Sequence, residues 1–300
     1  MRDELFKTIE SEVLVEAECT LGEGVQWNAD HQRIWWTDIH GCALWSCDAD
    51  GHDVARIKTP ERLGSFAFDP GNRILGAFAS GLFRWDLDSG RLDRLTSFEP
   101  GHATSRYNDG RCDRAGRFIA GGMDEDGLRH TSSLTRWDGV MLTTLRHGIG
   151  CSNSICFSPE GRWMYFSDTP TRTILRLPYD LETGDVGEAE LFCKLGDGFA
   201  GFPDGSCVDA DGAIWNARFN GASVQQIRPD GSAGISVVVG APQVTCACFG
   251  GADLDRLYIT TARENMSEQD IIDAPLSGAL FVAEPGVTGL PEDRFARPLF

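Results

Sequence analysis

No window of the chain approaches the roughly 20 consecutive apolar residues of a membrane-spanning helix, so a helical membrane protein is excluded. Met1-Arg2-Asp3-Glu4-Leu5-Phe6-Lys7 has no apolar run of the export-signal kind. Positive charge is scarce: 27 Lys and Arg stand against 45 Asp and Glu, a formal net charge of −18. Such a surface repels nucleic acid and anionic membranes, so neither is an expected partner. The six histidines show no HxxH or HExxH spacing, and the cysteines show no paired spacing for structural zinc. A Gly-x-Ser-x-Gly elbow is missing, which leaves a serine hydrolase without support. Gly-rich stretches such as Gly196-Asp197-Gly198 open no helix and make no nucleotide loop. Low-complexity segments and linkers are absent too. The chain is expected to form one domain spanning residues 1–300.

What is present is a repeat. Val25-Gln26-Trp27 leads through a turn to Arg33-Ile34-Trp35-Trp36, and Ile155-Cys156-Phe157 leads to Arg162-Trp163-Met164-Tyr165-Phe166. Six such hairpins follow one another, and further hairpins such as Leu82-Phe83-Arg84-Trp85-Asp86 trail them in step. Two hairpins per unit means four short strands, with a period of roughly 40 to 50 residues, the signature of propeller blades. The fold class predicted is all-β: a six-bladed β-propeller with four antiparallel strands per blade. Val13-Leu14-Val15-Glu16-Ala17 is expected to supply the outer strand that closes the ring against the last blade. Ser267-Glu268-Gln269-Asp270-Ile271-Ile272 is the one expected helical interruption. Ten cysteines scattered through strand-like runs, with no export signal, read as buried free thiols of a cytoplasmic protein. Trp27, Trp35, Trp36, Trp163 and Trp215 fall at strand positions and read as packing between blades rather than a carbohydrate platform.

The repeat also sets a register of oxygen-bearing side chains. Glu23, Asn108, Asn153 and Asp204 each stand eight residues ahead of a turn residue, His31, Gly116, Gly161 and Gly212. Leu63 holds that place in the second unit, and the last turn, Gly250 to Asp255, is too long to align. A lone Asp or Asn at a blade edge is usually a turn or cap residue. Four in register at the axis of a ring are different, because clustered carboxylates repel unless something binds them. A hard divalent cation is the natural occupant. Spacing leaves Ca²⁺, Mg²⁺, Mn²⁺, Fe²⁺ and Zn²⁺ as equal candidates.

Arg106 lies two residues before Asn108, so strand alternation turns both to one side, towards the cation. Its guanidinium is then a polar clamp for a substrate rich in hydroxyl or carboxylate groups. Arg129 and His130, in the polar loop after Asp124, read equally well as entrance residues or as solvated ones.

Thr20-Leu21-Gly22-Glu23-Gly24, Arg106-Tyr107-Asn108-Asp109-Gly110, Ser152-Asn153-Ser154, Phe202-Pro203-Asp204-Gly205 and Cys248-Phe249-Gly250-Gly251 resemble the motifs of the regucalcin (senescence marker protein)/gluconolactonase family, over nearly the whole chain. The resemblance implies a central divalent metal held by Glu23, Asn153 and Asp204, with Arg106 and Asn108 contacting substrate. By register it also offers Asp126 as a substrate contact, where animal members carry a Glu. Asn153-Ser154 departs from the Asn-Gly of many relatives.

The activity implied is hydrolysis of a sugar-acid lactone such as arabinono-, xylono-, galactono- or gluconolactone. Asp204 is the expected base for the attacking water, and a monomer or weak homo-oligomer is the expected state. Two other readings stay open: a calcium-binding regulatory protein without turnover, and a metal-dependent esterase or organophosphatase on the same scaffold.

Overall fold

Short apolar runs broken by Asp/Gly turns fold here as hairpins, and the hairpins join into six sheets arranged around one axis. A computed structural model describes residues 7–99, 101–126, 128–196 and 200–297. Met1–Phe6, the segment without export-signal character, lie outside them. Blade 1 runs Gly22–Asn28, Arg33–Asp38, Ala43–Asp48 and Ala55–Lys58. Blade 3 runs Ser105–Cys112, Phe118–Asp124, Ser132–Trp137 and Leu142–Ile149; blade 4 runs Ser152–Phe157, Trp163–Asp168, Thr173–Pro178 and Glu190–Lys194. Blades 2, 5 and 6 begin at the inner strands Leu63–Asp69, Phe202–Val208 and Val244–Gly250. Each inner strand packs on the next, and Val244–Gly250 returns to Gly22–Asn28, which closes the ring.

The closure is the one expected. Glu12–Val15 pairs antiparallel with Leu280–Ala283 as the fourth strand of blade 6. One strand was not foreseen: Thr8–Glu10 runs parallel to Ala233–Val238 and adds a fifth strand to blade 5. The last-blade loop carries the short helix Glu268–Asp273, with Ser267 and Asp270 forming a reciprocal capping box. Apart from it, the helical structure of the described residues is a single 3₁₀ turn, Thr169–Thr171. No helix is long and apolar enough to cross a membrane.

Burial follows position in the blade. Inner strands are buried along nearly their whole length, whereas outer strands such as Ala55–Lys58 are largely exposed. The tryptophans pack between blades: Trp27 stacks on Tyr258 at 6.1 Å, and Trp215 meets Phe249 edge-on at 5.6 Å. All ten cysteines are free thiols.

One irregularity positions the site. Every inner strand carries one extra residue near its start, a β-bulge against its partner: between Glu23 and Gln26, Leu63 and Ser65, Tyr107 and Gly110, Asn153 and Cys156, Pro203 and Ser206, and Val244 and Cys246. A bulge re-aims the side chains beside it. Glu23 and Asn153 stand immediately before theirs, and Asn108 and Asp204 stand within theirs. In blade 1 the residue after the carboxylate is Gly24 at φ +58°, a conformation glycine adopts without strain.

Candidate functional site

The four residues in register converge at one end of the central channel. Glu23, Asn108, Asn153 and Asp204 are 7%, 7%, 3% and 6% exposed, so each polar group depends on partners inside the protein. The Glu23 and Asp204 carboxyls share a hydrogen bond, and Glu23 Oε2 also accepts the Gly24 backbone N–H at 3.0 Å. Asn108 Nδ2 donates to Asn153 Oδ1 at 3.2 Å and to the Ser152 carbonyl at 3.0 Å. Asn153 Nδ2 donates to Thr169 Oγ1 at 2.8 Å, and that hydroxyl donates in turn to the Pro203 carbonyl at 3.0 Å, one residue from Asp204. These bonds fix the Asn153 amide with its nitrogen towards Thr169 and its oxygen towards the cluster.

Arg106 is 2% exposed and lies on the same side as Asn108, as strand alternation requires. Its Nη1 donates to Asn108 Oδ1 at 2.8 Å and its Nε to Glu125 Oε1 at 2.9 Å. Glu125 is also gripped by both of its oxygens from Arg62 Nη1, at 2.7 and 2.9 Å. Asp126, the residue placed here by register, does not join this group. Its side chain is 64% exposed and pairs with Arg129 at 3.1 Å. The reason is a tight turn: Asp124 Oδ1 accepts the Asp126 N–H at 2.9 Å, which leaves Glu125 facing the channel and Asp126 facing solvent. Arg129 pairs with Asp124 and Asp126, and His130 Nδ1 lies 3.0 Å from Asp168 Oδ2.

Sequence reasoning missed three residues at the site. Glu125 is one; Thr169, the brace of Asn153, is another. The third is Asp109, whose two oxygens accept the Gly110 N–H at 2.8 Å and the Ile155 N–H at 2.9 Å. Its position next to Asn108 inside a bulge was the available signal, since a bulge breaks strand alternation.

The electrostatics are those of crowded negative charge. Burial, then the Asp109 carboxylate, push Glu23 from the usual range up to about 8, with Arg106 pulling the other way. Asp204 is raised further by burial, then by Glu23, Asp109 and Glu264, charges that are all negative. Among the described residues no three His, Cys, Asp or Glu side chains form a metal cluster. The donors here are two carboxyls and an amide oxygen, an all-oxygen set in which ionisation of both carboxyls would press two like charges together. A hard divalent cation relieves that repulsion and is ligated by such groups, so the residues fit one.

Known proteins resemble the chain over nearly its whole length. It is 38% identical to the L-arabinolactonase of Azospirillum brasilense over 290 residues, covering 95% of each chain. It is 35% identical to the 6-deoxy-6-sulfogluconolactonase of Pseudomonas putida over 284 residues, covering 94% of this chain and 97% of that one. Among solved structures, a calcium-binding protein, regucalcin, from Agrobacterium tumefaciens superposes with a TM-score of 0.93 at 31% identity, covering 97% of this chain and all of its own. Residues 21–263, the span from the strand of Glu23 to the last-blade loop, match the model of the SMP-30/Gluconolactonase/LRE-like region, and the chain belongs to that family.

Proposed function

We propose that the protein is a metal-dependent sugar lactonase, a carboxylic ester hydrolase that opens the ring of an aldonolactone. The observation that carries this reading is the contact of Glu23 with Asp204, beside an Asn153 linked through Asn108 to the Arg106 guanidinium, in a chain 38% identical to an L-arabinolactonase. Glu23, Asn153 and Asp204 would hold one divalent cation; Ca²⁺, Zn²⁺, Mn²⁺, Mg²⁺ and Fe²⁺ all suit oxygen ligands of this kind. When bound, such a cation polarises the lactone carbonyl and stabilises charge developing on its oxygen.

The chain's own groups do the rest. Asp204, whose backbone carbonyl is held by Ser154 Oγ at 2.7 Å and Asn216 Nδ2 at 3.0 Å, accepts the proton of the attacking water. Arg106, locked between Asn108 and Glu125, presents its remaining donors to the sugar hydroxyls and orients the ring. Asn108 completes that contact. The substrates favoured are arabinono-, xylono-, galactono- and gluconolactone.

A calcium-binding protein without turnover is the second reading, favoured by the likeness to the Agrobacterium regucalcin. One experiment separates the two. Protein stripped with a chelator, then reconstituted with each metal, is assayed on a panel of pentono- and hexonolactones, with a phosphotriester as control. Metal-restored hydrolysis of at least one lactone is expected. Metal binding without any lactone turnover would favour the regucalcin-like reading, and preference for the phosphotriester would favour an organophosphatase.

A further inference from the structure

Arg106 and Glu125 occupy blade 3, and three steps round a six-membered ring lead to blade 6. There the loop after Arg256–Thr261 meets blade 1. Glu264 Oε1 lies 2.9 Å from His40 Nε2, and both side chains are 27% exposed. Neither belongs to the groups described above.

Their placement is fixed by backbone tied to the strand that carries Glu23. The Ile39 N–H donates to the Leu21 carbonyl at 2.9 Å, and the Arg263 N–H donates to the Thr20 carbonyl at 3.0 Å. Asp38 accepts the Thr20 and Leu21 N–H groups at 3.2 and 3.0 Å, and Gln243 Nε2 donates to the Glu264 carbonyl at 2.8 Å. Leu21, Ile39 and Ala262 form a small buried apolar cluster beneath the pair. Leu21 is two residues ahead of Glu23, so His40 and Glu264 are anchored to the stretch of chain that leads into that carboxylate. The Glu264 charge reaches Asp204 as well, where it is one of the causes that raise the Asp204 carboxyl.

We propose that His40 and Glu264 form a second polar clamp, which binds a hydroxyl of the sugar lactone on the side of the site opposite Arg106. The proposal rests on the lactonase reading of the same site. A substrate seated over Glu23, Asn153 and Asp204 spans the mouth from blade 3 to blade 6. The far wall must then offer partners to its hydroxyls, or those groups lose their water without replacement. A carboxylate that accepts and an imidazole nitrogen that donates or accepts make a fitting pair for one hydroxyl. Partial exposure keeps both reachable, and the five hydrogen bonds to their backbone surroundings hold them in place without substrate. The pair is thus a specificity-determining contact, one that reads how many hydroxyls the lactone carries and where.

The test compares wild type with His40→Ala and Glu264→Gln on the lactone panel and on γ-butyrolactone, which has no hydroxyl. Metal affinity is measured by calorimetry and stability by Tm, and binding of the product-like arabinonate, xylonate, galactonate and gluconate is titrated alongside. Each variant is expected to raise KM for its preferred sugar lactone by about tenfold, the scale of one lost hydrogen bond. For His40→Ala, rates on γ-butyrolactone, metal affinity and Tm should stay within about twofold or a degree or two of wild type; Glu264→Gln also removes a charge that acts on Asp204, so its loss on the sugar lactone should exceed any change on γ-butyrolactone. Equal losses on γ-butyrolactone would overturn the clamp and give the pair a role in chemistry or in the fold. Unchanged kinetics on every substrate would overturn it as well. If wild type hydrolyses no lactone but binds an aldonate, and both variants weaken that binding, the lactonase reading fails while the clamp stands. If wild type neither hydrolyses a lactone nor binds any aldonate, both fail.

Discussion

Replacing Glu23 by Gln should stabilise the metal-free protein at neutral pH, although most substitutions of buried residues destabilise. Burial, and then the Asp109 charge, raise the Glu23 carboxyl from 4.5 to about 8. Below about pH 4.5 the folded and unfolded chains both hold this proton, and nothing is lost. Between 4.5 and 8 the folded chain keeps a proton that the unfolded chain has released, so stability falls as the pH rises. At pH 7 that span is about 2.5 units, and at 1.36 kcal/mol per unit the destabilisation is on the order of 3 kcal/mol. A glutamine amide escapes it, and its carbonyl oxygen can still accept the Gly24 N–H that Glu23 Oε2 accepts at 3.0 Å. For a chain of this size, 1 kcal/mol moves Tm by about 2 °C, so a rise of roughly 6 °C is expected. The assay is scanning calorimetry of chelator-stripped wild type and Glu23→Gln at pH 4 and pH 7. A gain at pH 7 that vanishes at pH 4 is the expected pattern, together with weaker metal binding by the variant. A shift of the same size at both pH values, or a loss at pH 7, would refute the argument that Glu23 is held as a strained acid.

Three further substitutions probe the rest of the site and its support. Asp204→Asn keeps the volume and any turn bond but removes the proton acceptor, so turnover at saturating metal should drop at least about a hundredfold, with weaker metal binding by calorimetry; normal metal binding and near-normal turnover would return the residue to a turn role. With excess metal, Glu23→Gln should retain more turnover than Asp204→Asn. Arg106→Ala should lower kcat/KM on the preferred lactone far more than its Tm accounts for, and unchanged kinetics would remove Arg106 from substrate contact. Glu292→Gln breaks a buried pair with Arg111, each side chain 9% exposed, and should destabilise by about 3 to 5 kcal/mol in thermal unfolding; a Tm within a degree of wild type would show the pair to be idle.

The sequence made the blades legible because turn and strand repeat in step, and Gly161 and Gly212 sit at equivalent turns with φ +69° and +85°. Counting eight residues back from each turn found Glu23, Asn108, Asn153 and Asp204 because these four inner strands carry their extra residue within one position of the same place. What the count could not give is anything set by loops or by distant segments. Register offers Asp126 only if the strand is extended past Asp124, where the chain already turns on the Asp124 side chain and Glu125 takes the channel side instead. Thr8–Glu10 is too short to announce itself as a strand, and it pairs with residues some 228 positions away. The segment near the C-terminus shows no period either, yet Glu292 reaches Arg111 across 181 residues and Phe295 is 1% exposed. Such pairings depend on where the ring closes.

A ring of six similar inner strands could offer a ligand from every blade, but blades 2 and 6 offer none, and their residues at the bulge explain why the site is lopsided. In blade 2 Leu63 holds the register place and the bulge falls to Gly64, where a Cβ would sit 2.5 Å from the Tyr107 carbonyl and 2.9 Å from the Asn108 carbonyl. Gly64 therefore makes room for the neighbouring bulge to come close, and Asn108 owes its position to a side chain that is missing next door. In blade 6 the place falls to Thr245, whose hydroxyl donates to the Gly22 carbonyl, one residue before Glu23. It braces the strand of that carboxylate in the way Thr169 braces Asn153 and Ser154 braces Asp204. The blades without a ligand thus support the ligand beside them, by removing bulk or by supplying a hydroxyl. The Asn108 and Asn153 side chains, and the backbone that carries Glu23 and Asp204, are each held from a neighbouring blade. Such cross-blade bracing keeps two buried carboxyls in contact although ionisation of both would drive them apart.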